Sequence, residues 1–574
     1  MTHFFAVPPF VFLCLAGAIV PLCKGRTQKA LILGAPFAAW TRALFVQDGA
    51  CLPDGGMLSC ASHDFSLIFA SAFCLAAFLG GLFGLGRAQT REISAAYIYA
   101  GGALGVTFSR DLSHLFIFWE TMAIASTLLI YFGGTERSSG AAKRYAYLHV
   151  LGGALLMAGI AAYAARTGND AVAAFDASPL KEAWKTGAYA DAIPYFLMLA
   201  GIGVCLAAPP FSAWLPDAYP AASPFGAVFL SAFTTKTAVF ATLTLFAGFT
   251  PLIVVGMVMI FYGVVYAMLE NDMRRILSYS VVNQVGFMVV GAGIGTKYAL
   301  LGAAAHAFCH IIYKALLFMS AGSVLYATGE SRCSRLGGLH RAMPVACIGG
   351  IVGALAISAF PLTSGFVSKS LILEAAGEQG LAWTYFLLTA ASAGVFLHAG
   401  VKFPWFVFFN RDNGLRPEDA SGGMKWAIVI AAAWCVVPAI PGLTPYLLYS
   451  MLPEAPEVSL YGVDHVTSQI ELLVFSGLAF FLLLPWLKRT ETVTLDFDWF
   501  YRKAWARAGK PVLSALYGAS SLLEGAASAT HELWRGGADY LRGPDHYFAR
   551  NWSFSAVLFI AILLLQAYIL MAMI

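Results

Sequence analysis

The chain has 574 residues, of which 59% are hydrophobic and 11% charged, with a formal net charge of +4. Soluble domains carry about 25% charged residues, so this composition excludes a protein whose whole surface faces water. A net charge this small gives no reason to expect a nucleic-acid partner.

Apolar stretches long enough to cross a bilayer as helices recur along the whole sequence. A membrane-spanning helix needs about 20 mostly apolar residues, and we predict about sixteen such helices. They lie near 4–22, 29–47, 65–86, 93–108, 111–132, 144–165, 193–212, 221–247, 250–270, 276–294, 298–325, 344–375, 381–409, 425–450, 468–487 and 552–574. The first has no basic region ahead of it and no small-residue cleavage site, so we interpret it as a helix.

Basic residues in the loops orient these helices, because cytoplasmic loops are richer in lysine and arginine. One set of alternate loops has sixteen Lys and Arg, and the other, which includes 166–192 and 451–467, has five. This alternation predicts a bacterial inner-membrane protein with both termini in the periplasm. Cys51 and Cys60 share one loop and can form a disulfide bond if that loop is periplasmic.

Residues 488–551 fit no membrane span, because they contain nine Lys and Arg among apolar and aromatic side chains. Their composition predicts an amphipathic segment that lies along the cytoplasmic surface of the membrane. A solvated connector is the alternative, and tryptophan and tyrosine residues such as Trp499 and Tyr501 favour the interface.

Several charged side chains fall inside the predicted helices. The internal cations are Arg42, Lys236, Lys314, Lys369 and Lys402. Arg42 and Lys402 lie nearer helix ends, where long side chains can reach the interface. Glu120 is the only carboxylate near the middle of a predicted span. Intramembrane charges mark ion pathways or structural ion pairs, and four of them at similar depth favour a pathway.

Histidines add to this pattern in the eleventh predicted helix. His306, His310 and Lys314 recur at i, i+4 and i+8, so they form one stripe on one helix face. Histidine exchanges protons near neutral pH, and a desolvated lysine can do the same. The stripe therefore predicts a proton relay, with hydrogen-bonded packing histidines as the alternative. His149, near the cytoplasmic end of the sixth helix, is a weaker candidate that an interfacial position would also explain.

Two predicted helical regions contain residues that interrupt a helix. Prolines crowd 208–220, and Pro361 and Gly365 interrupt the twelfth helix at 360–369. Unwound backbone at membrane depth is tolerated only where protein or water satisfies the freed groups. Paired interruptions indicate an inverted-repeat transporter, and the segment 210–213 (PFSA) is weakly similar to 361–364 (PLTS).

Several segments resemble the antiporter-like proteins in order and spacing. They are 115–120 (LFIFWE), 214–218 (WLPDA), 235–236 (TK), 274–280 (RRILSYS), 310–318 (HIIYKALLF) and 365–369 (GFVSK). This family comprises the D and A subunits of Mrp-type sodium/proton antiporters and the proton-pumping membrane subunits of respiratory complex I and membrane-bound hydrogenases. The resemblance covers about residues 60–410 and is closest to the Mrp D subunit.

The resemblance implies an all-α polytopic membrane protein with a fourteen-helix core, broken helices and two inverted five-helix repeats. It divides the chain into N-terminal helices at 1–92, a first repeat at 93–247, a second repeat at 250–409, C-terminal core helices at 425–487, the surface segment at 488–551 and a final helix at 552–574. The last two parts are similar to the lateral helix of the largest complex I pump subunit, but shorter.

The resemblance also assigns a proton or cation pathway. Its residues are Glu120 as the fifth-helix glutamate, Lys236 as the eighth-helix lysine, His306, His310 and Lys314 as the connecting relay, and Lys369 as the exit lysine. Secondary candidates are His149, Cys205, Ser212 and Asp217.

One departure from the family pattern concerns the usual partner of Glu120. The family has a lysine where this chain has Cys205, and a histidine where it has Ser212. A buried carboxylate without a nearby cation tends to be neutral. Either Lys236 takes over as the partner, which we favour, or the first half-channel is altered or closed.

We therefore expect an ion-translocating subunit of an Mrp-like monovalent cation/proton antiporter, without cofactor, metal or catalytic chemistry of its own. Its partners would be other membrane subunits, the lipid bilayer, protons and sodium. One alternative is a proton-pumping subunit of a redox complex, such as an NADH:quinone oxidoreductase, or of an inorganic-carbon-uptake complex. The other is a scaffold subunit that does not conduct.

Overall fold

A computed structural model describes residues 7–46, 60–458 and 460–485 of the chain, together with residues 496 and 499. The chain divides into two compact units, 1–492 and 493–574, and every helix given below belongs to the first. The predicted final helix at 552–574 and, apart from two residues, the predicted surface segment at 488–551 lie outside the described residues. Cys60 is disulfide-bonded, and its predicted partner Cys51 lies outside them too.

The described part of the first unit is helical. Its α-helices are α1 Pro9–Ile19, α2 Gly25–Ala43, α3 Ser66–Phe83, α4 Thr90–Thr107, α5 Leu112–Tyr131, α6 Glu136–Thr167, α7 Ser178–Thr186, α8 Ile193–Leu206, α9 Trp214–Ala218, α10 Pro224–Leu230, α11 Thr234–Leu245, α12 Pro251–Leu269, α13 Met273–Ile294, α14 Lys297–Thr328, α15 Pro344–Ile357, α16 Ser364–Glu378, α17 Ala382–Val395, α18 Gly423–Val436, α19 Thr444–Leu447 and α20 Val463–Leu483. Two π-helical turns, Phe396–Lys402 and Trp405–Phe409, continue α17. The predicted all-α class is confirmed.

Within these described residues, ten helices are long and apolar enough to cross a membrane. The pair Gly423–Ala439 and Thr444–Met451 passes the same test together but bends by 119° at its break. Each predicted segment from 4–22 to 468–487 coincides with at least part of a helix. The total of sixteen stays a prediction, because the last segment is not described.

Burial separates the central helices from the peripheral ones. The most apolar stretches of α13 and α14 are 100% and 94% buried, whereas those of α12 and α20 are only 39% and 17% buried. A helix that is apolar all round and faces lipid keeps its outer side chains exposed. The polar residues within these buried stretches of α13 and α14 therefore lie inside the protein.

Glycine brings α12 and α13 into close contact. A Cβ atom added at Gly256 would lie 2.6 Å from the carbonyl oxygen of Gly286, and one added at Gly286 would lie 2.7 Å from that of Gly256. Small residues at such crossings let membrane helices approach at backbone distance. This contact fixes α13, which carries several of the polar residues described below.

The two predicted interruptions have the same local structure. Ala207 after α8 and Ala359 after α15 are both left-handed, with φ of 58° and 56°. The next residue donates its N–H five residues back, from Ala208 to Gly203 at 3.0 Å and from Phe360 to Leu355 at 3.1 Å. This is the hydrogen bonding that closes a helix end. This matching geometry supports a structural repeat in which Ala207 corresponds to Ala359. The sequence similarity paired 210–213 with 361–364, and this differs from the structural correspondence by one residue.

Two of the internal cations hold backbone carbonyl groups and do not reach the surface. The Arg42 side chain is fully buried and donates from Nε to the Val7 carbonyl at 2.9 Å. Lys402 is fully buried and donates to the carbonyls of Met268 and Glu270, each at 2.8 Å. Both carbonyls lie at the carboxyl end of α12, where the helix dipole favours a cation. Both side chains therefore bond inside the protein and are not extended to its surface.

Candidate functional site

The predicted stripe lies on α14, in the centre of the first unit. His306, His310 and Lys314 are fully buried and follow one another along one face of this 32-residue helix. Their neighbours on α14 are mainly apolar or small, so the polar side chains find partners only on the surrounding helices. These partners come from α11, α13 and α16.

At one end of the stripe, Lys314 lies near Lys236. The Nζ atom of Lys314 donates to the Leu277 carbonyl on α13 at 3.1 Å. The Nζ atom of Lys236 donates to the Ser231 carbonyl at 2.6 Å and to the Thr235 hydroxyl at 3.0 Å. The chain between α10 and α11 is not helical at 231–233, which leaves the Ser231 carbonyl available. The two ammonium groups lie close enough to interact electrostatically.

At the other end, Lys369 lies beside the interruption between α15 and α16. Its Nζ atom donates to the Ile357 carbonyl, at the last residue of α15, at 3.1 Å. The same ammonium lies 4.8 Å from the centre of the Phe287 ring, a cation–π contact. In a continuous helix this carbonyl would accept a backbone N–H four residues later. Because α15 ends here, the carbonyl accepts a hydrogen bond from Lys369 instead.

His306 connects the stripe to α16 and α13. Its Nδ1 lies 3.0 Å from the Ser368 hydroxyl and its Nε2 lies 3.1 Å from Oε1 of Gln284. The Tyr313 hydroxyl donates to the same Gln284 oxygen at 3.1 Å. Because that oxygen only accepts, Nε2 of His306 donates to it and Nδ1 faces the hydroxyl. Gln284 and Ser368 therefore fix the orientation of the ring.

Gln284 was not predicted from the sequence, although a signal was available. Asn283 and Gln284 are adjacent amides in the middle of the apolar helix α13, and polar groups at that depth point to function. Nδ2 of Asn283 donates to the Ile260 carbonyl on α12 at 2.9 Å.

His398 is a second polar residue that was not predicted from the sequence as part of the site. It is fully buried on a π-helical turn and lies within electrostatic range of Lys314, Lys369 and Lys402.

His310 lies between the two lysine ends. Neither of its ring nitrogens has a hydrogen-bond partner in the described part of the chain. It lies within electrostatic range of Lys236, Lys314 and Lys369. Buried polar groups nearly always have partners, so an unpartnered imidazole at this position is suited to take up and release a proton.

Glu120 lies apart from this line. Its Oε1 atom is buried without a hydrogen-bond partner, and the described residues offer it no ion pair. Cys205 on α8 lies within electrostatic range of it. Lys236 is held by Ser231 and Thr235 instead. The expectation that Lys236 pairs directly with Glu120 is not met in this structure.

The secondary candidates have mainly structural contacts. The Ser212 hydroxyl donates to the Ala207 carbonyl at 2.8 Å, which closes the interruption after α8. Asp217 accepts two hydrogen bonds from the Arg144 guanidinium, at 2.7 and 3.0 Å. His149 is 2% exposed, so its side chain packs inside the protein. Its ring stacks on Tyr145 with 3.7 Å between centroids.

A comparison with family models places residues 109–396 in a family described as NADH:quinone oxidoreductase/Mrp antiporter, transmembrane region. This match covers half of the chain and includes all six predicted pathway residues. The chain belongs to the NADH:quinone oxidoreductase/Mrp antiporter family. Lys402 and α20 lie beyond the matched segment.

Relatives within this family include both antiporter and redox-complex subunits. The chain is 33% identical over 290 residues to the D subunit of the Na(+)/H(+) antiporter of Alkalihalophilus pseudofirmus, covering 49% of this chain and 58% of that protein. It is 32% identical over 305 residues to the N subunit of the NADH-quinone oxidoreductase of Desulforudis audaxviator, covering 51% and 60%. The chain thus spans less than two thirds of either relative.

Among solved structures, the fold is similar to a chain of the membrane-bound sulfane sulfur reductase, an archaeal respiratory membrane complex. The TM-score is 0.67 at 21% identity, and the match covers 82% of this chain and 99% of that one. At this identity the likeness concerns the fold. It agrees with the antiporter-like architecture expected for a member of the NADH:quinone oxidoreductase/Mrp antiporter family.

Proposed function

We propose that this chain is the proton-conducting membrane subunit of a multisubunit Mrp-like antiporter that exchanges a monovalent cation for protons. One observation carries the proposal: a buried line of protonatable side chains joins α11, α14 and α16. Lys236 and Lys314 lie at one end of this line and Lys369 at the other, with His310 and His306 between them. A structural ion pair would need a counter-charge, and Glu120 forms no ion pair with these lysines in the described structure.

Electrostatic repulsion along the line supplies a mechanism. At an effective dielectric of about 20, two unit charges roughly 8 Å apart repel by about 2 kcal/mol. A proton that arrives on one lysine therefore raises the free energy of a proton on the next and drives it onward. His310 and His306 lie between the lysines and can carry the proton across the gap.

We propose further that residues 93–247 and 250–409 are two repeats, each with its own half of the pathway. The matching interruptions after α8 and α15 support this division. Glu120 and Lys236 would belong to the first half, and Lys314 and Lys369 to the second. Cytoplasmic and periplasmic access to the two halves would then be linked through α14.

A proton-pumping subunit of a redox complex is a second candidate. The similarity to a membrane subunit of an NADH-quinone oxidoreductase supports it, and the same buried line would serve either role. A scaffold that does not conduct is a third candidate, because Cys205 replaces a lysine that the family resemblance leads one to expect. The companion subunits and the presence of proton flux distinguish these three.

The test is to purify the native complex, identify its subunits and reconstitute it into proteoliposomes with a pH-sensitive dye inside. For an antiporter, we expect a sodium or potassium gradient to drive proton movement that an uncoupler abolishes. Flux that requires an electron donor and quinone would support the redox-complex alternative. An intact complex without proton flux under either condition would contradict conduction.

Topology gives an independent prediction for this multi-pass protein in the plasma membrane. If basic loops are cytoplasmic, a periplasmic reporter such as alkaline phosphatase fused after Ile574 should be active, and one fused after Gly509 should be inactive. Fusion to green fluorescent protein should give the opposite pattern at both positions. Activity of the phosphatase at Gly509 would contradict the orientation and the predicted surface segment.

A further inference from the structure

Helix α20 is exposed along most of its length but packs against the rest of the first unit with one face. Its most apolar stretch is only 17% buried. The less exposed residues recur every three or four positions, which places them on one side of the helix. They are His465, Gln469, Leu473, Ser476 and Phe480. The first two of these are half-buried polar side chains near the start of α20.

Both polar side chains bond to the interruption between α15 and α16. Nε2 of His465 lies 3.0 Å from the Ser370 hydroxyl, and Nε2 of Gln469 donates to the Ser358 carbonyl at 3.3 Å. Ser358 directly follows the last residue of α15, and Ser370 lies in the second turn of α16. One face of α20 therefore bonds to both sides of the interruption.

The two serines are the chain neighbours of the residues that form the Lys369 hydrogen bond. Nζ of Lys369 donates to the Ile357 carbonyl at 3.1 Å. Ser358 follows Ile357 in the chain, and Ser370 follows Lys369. The hydrogen bonds of α20 thus join the same two helices as the lysine bond does, at adjacent residues.

Aromatic residues beside the start of α20 contact the first turn of α16 as well. The Phe366 ring lies 5.1 Å from the His465 ring and 5.2 Å from the Tyr461 ring, measured between centroids. The Tyr449 hydroxyl donates to the Val367 carbonyl at 2.7 Å. The part of the chain that leads into α20 therefore packs around the turn that precedes Lys369.

The interruption needs such support for two reasons. Ala359 and Leu362 are left-handed, with φ of 56° and 67°, and strained residues of this kind persist only where the surrounding structure holds them. The Lys369 bond also varies during transport, because a neutral amine donates more weakly than an ammonium group. A connection between α15 and α16 that does not depend on the charge of Lys369 would keep the Ile357 carbonyl in place until the next proton arrives.

We propose that α20 is a clamp that holds this interruption, with His465 and Gln469 as positioning residues for the Lys369 ammonium. Neither residue carries the transported proton. The inference rests on the proposed function, because it assumes that Lys369 conducts. Helix α20 lies beyond residues 109–396, the segment that the family model matches, so the proposal adds a part of the chain to the pathway.

Two substitutions at His465 separate positioning from proton transfer. His465→Phe keeps a ring against Phe366 and removes the hydrogen bond to Ser370. His465→Gln keeps a side chain that forms hydrogen bonds but does not titrate. Gln469→Met keeps the length of the side chain and removes its donor. The matched control is Thr467→Val, since Thr467 is exposed on the opposite face of α20.

The experiment measures cation-driven proton flux through the reconstituted complex, normalised to complex content, and backbone hydrogen exchange across residues 357–370. We expect His465→Phe and Gln469→Met each to lower flux by about fivefold, the factor that one hydrogen bond provides, and the double variant to lower it by about tenfold or more. Exchange across the interruption should be faster in all three. His465→Gln should restore most of the flux, and Thr467→Val should match wild type.

Three results would overturn the inference while leaving the proposed function intact. The first is flux in the double variant within about twofold of Thr467→Val. The second is a flux as low in His465→Gln as in His465→Phe, which would show that His465 acts through its own proton. The third is lower flux with unchanged exchange at 357–370. Absence of flux in the wild-type complex would instead contradict the proposed function, and hydrogen exchange would still test whether α20 holds the interruption.

Discussion

Replacing Lys369 by alanine should reduce cation-driven proton flux to below about 1% of wild type, with the protein still inserted and assembled. The Lys369 ammonium bonds to the Ile357 carbonyl at the interruption before α16 and contacts the Phe287 ring. No other cation in the described structure bonds to this carbonyl, so the proposed exit step loses its proton carrier.

Lys369→Arg should fail as completely as the alanine variant. Arginine keeps a positive charge and can donate to the same carbonyl, but it does not release its proton in proteins. The pair of variants therefore separates a fixed charge from a proton carrier. Wild-type flux in Lys369→Arg would show that Lys369 only supplies a charge, and the relay mechanism would be wrong.

Lys402 provides the matched control for the arginine variant. It is also a buried lysine that donates to backbone carbonyls, those of Met268 and Glu270. We interpret it as a fixed cation that caps α12, a role that arginine can also perform. Lys402→Arg should keep most of the flux, measured in the same proteoliposomes and normalised to complex content.

Replacing Glu120 by glutamine should lower proton flux by about tenfold or more. The substitution keeps the size of the side chain and removes its ability to release a proton. Glu120 has a buried, unpartnered carboxyl oxygen, and keeping a carboxyl group at this depth is costly unless it has a function. In the structure Lys236 bonds to Ser231 and Thr235 and not to Glu120, so the variant tests whether Glu120 conducts without a direct cation partner.

Glu471 is a suitable control, because it is a carboxylate in α20 that is exposed on the surface of the unit. Glu471→Gln should leave flux unchanged. If Glu120→Gln conducts as well as this control while Lys369→Ala does not, the first half-channel is altered or closed. Conduction would then run through the second repeat alone.

The polar stripe on α14 could be predicted from the sequence because it depends on one helix. Residues four apart lie on one face of any α-helix, so the order of His306, His310 and Lys314 required no knowledge of packing. Their partners could not be predicted in this way. Gln284 and Ser368 are 22 and 62 residues from His306 in the chain and meet it only where α13 and α16 pack against α14.

The partners of Glu120 and Lys236 could not be predicted from the sequence either. The sequence predicted that both charges lie inside helices, and the structure confirms this. The family resemblance also predicts that Cys205 stands in place of a lysine. The sequence could not show that Lys236 bends back to the Ser231 carbonyl, because the non-helical residues 231–233 contain neither proline nor glycine. That bond leaves Glu120 without a direct cation.

The sequence by itself determined the class of the protein, the apolar helices and the identity of the internal charged residues. A bilayer imposes these features locally, since every span must be apolar and every buried charge is costly. Only the tertiary structure decided which charged residues lie near one another and which cations cap helices. Those contacts join residues far apart in the chain, and they depend on how side chains of different helices fill the space between them.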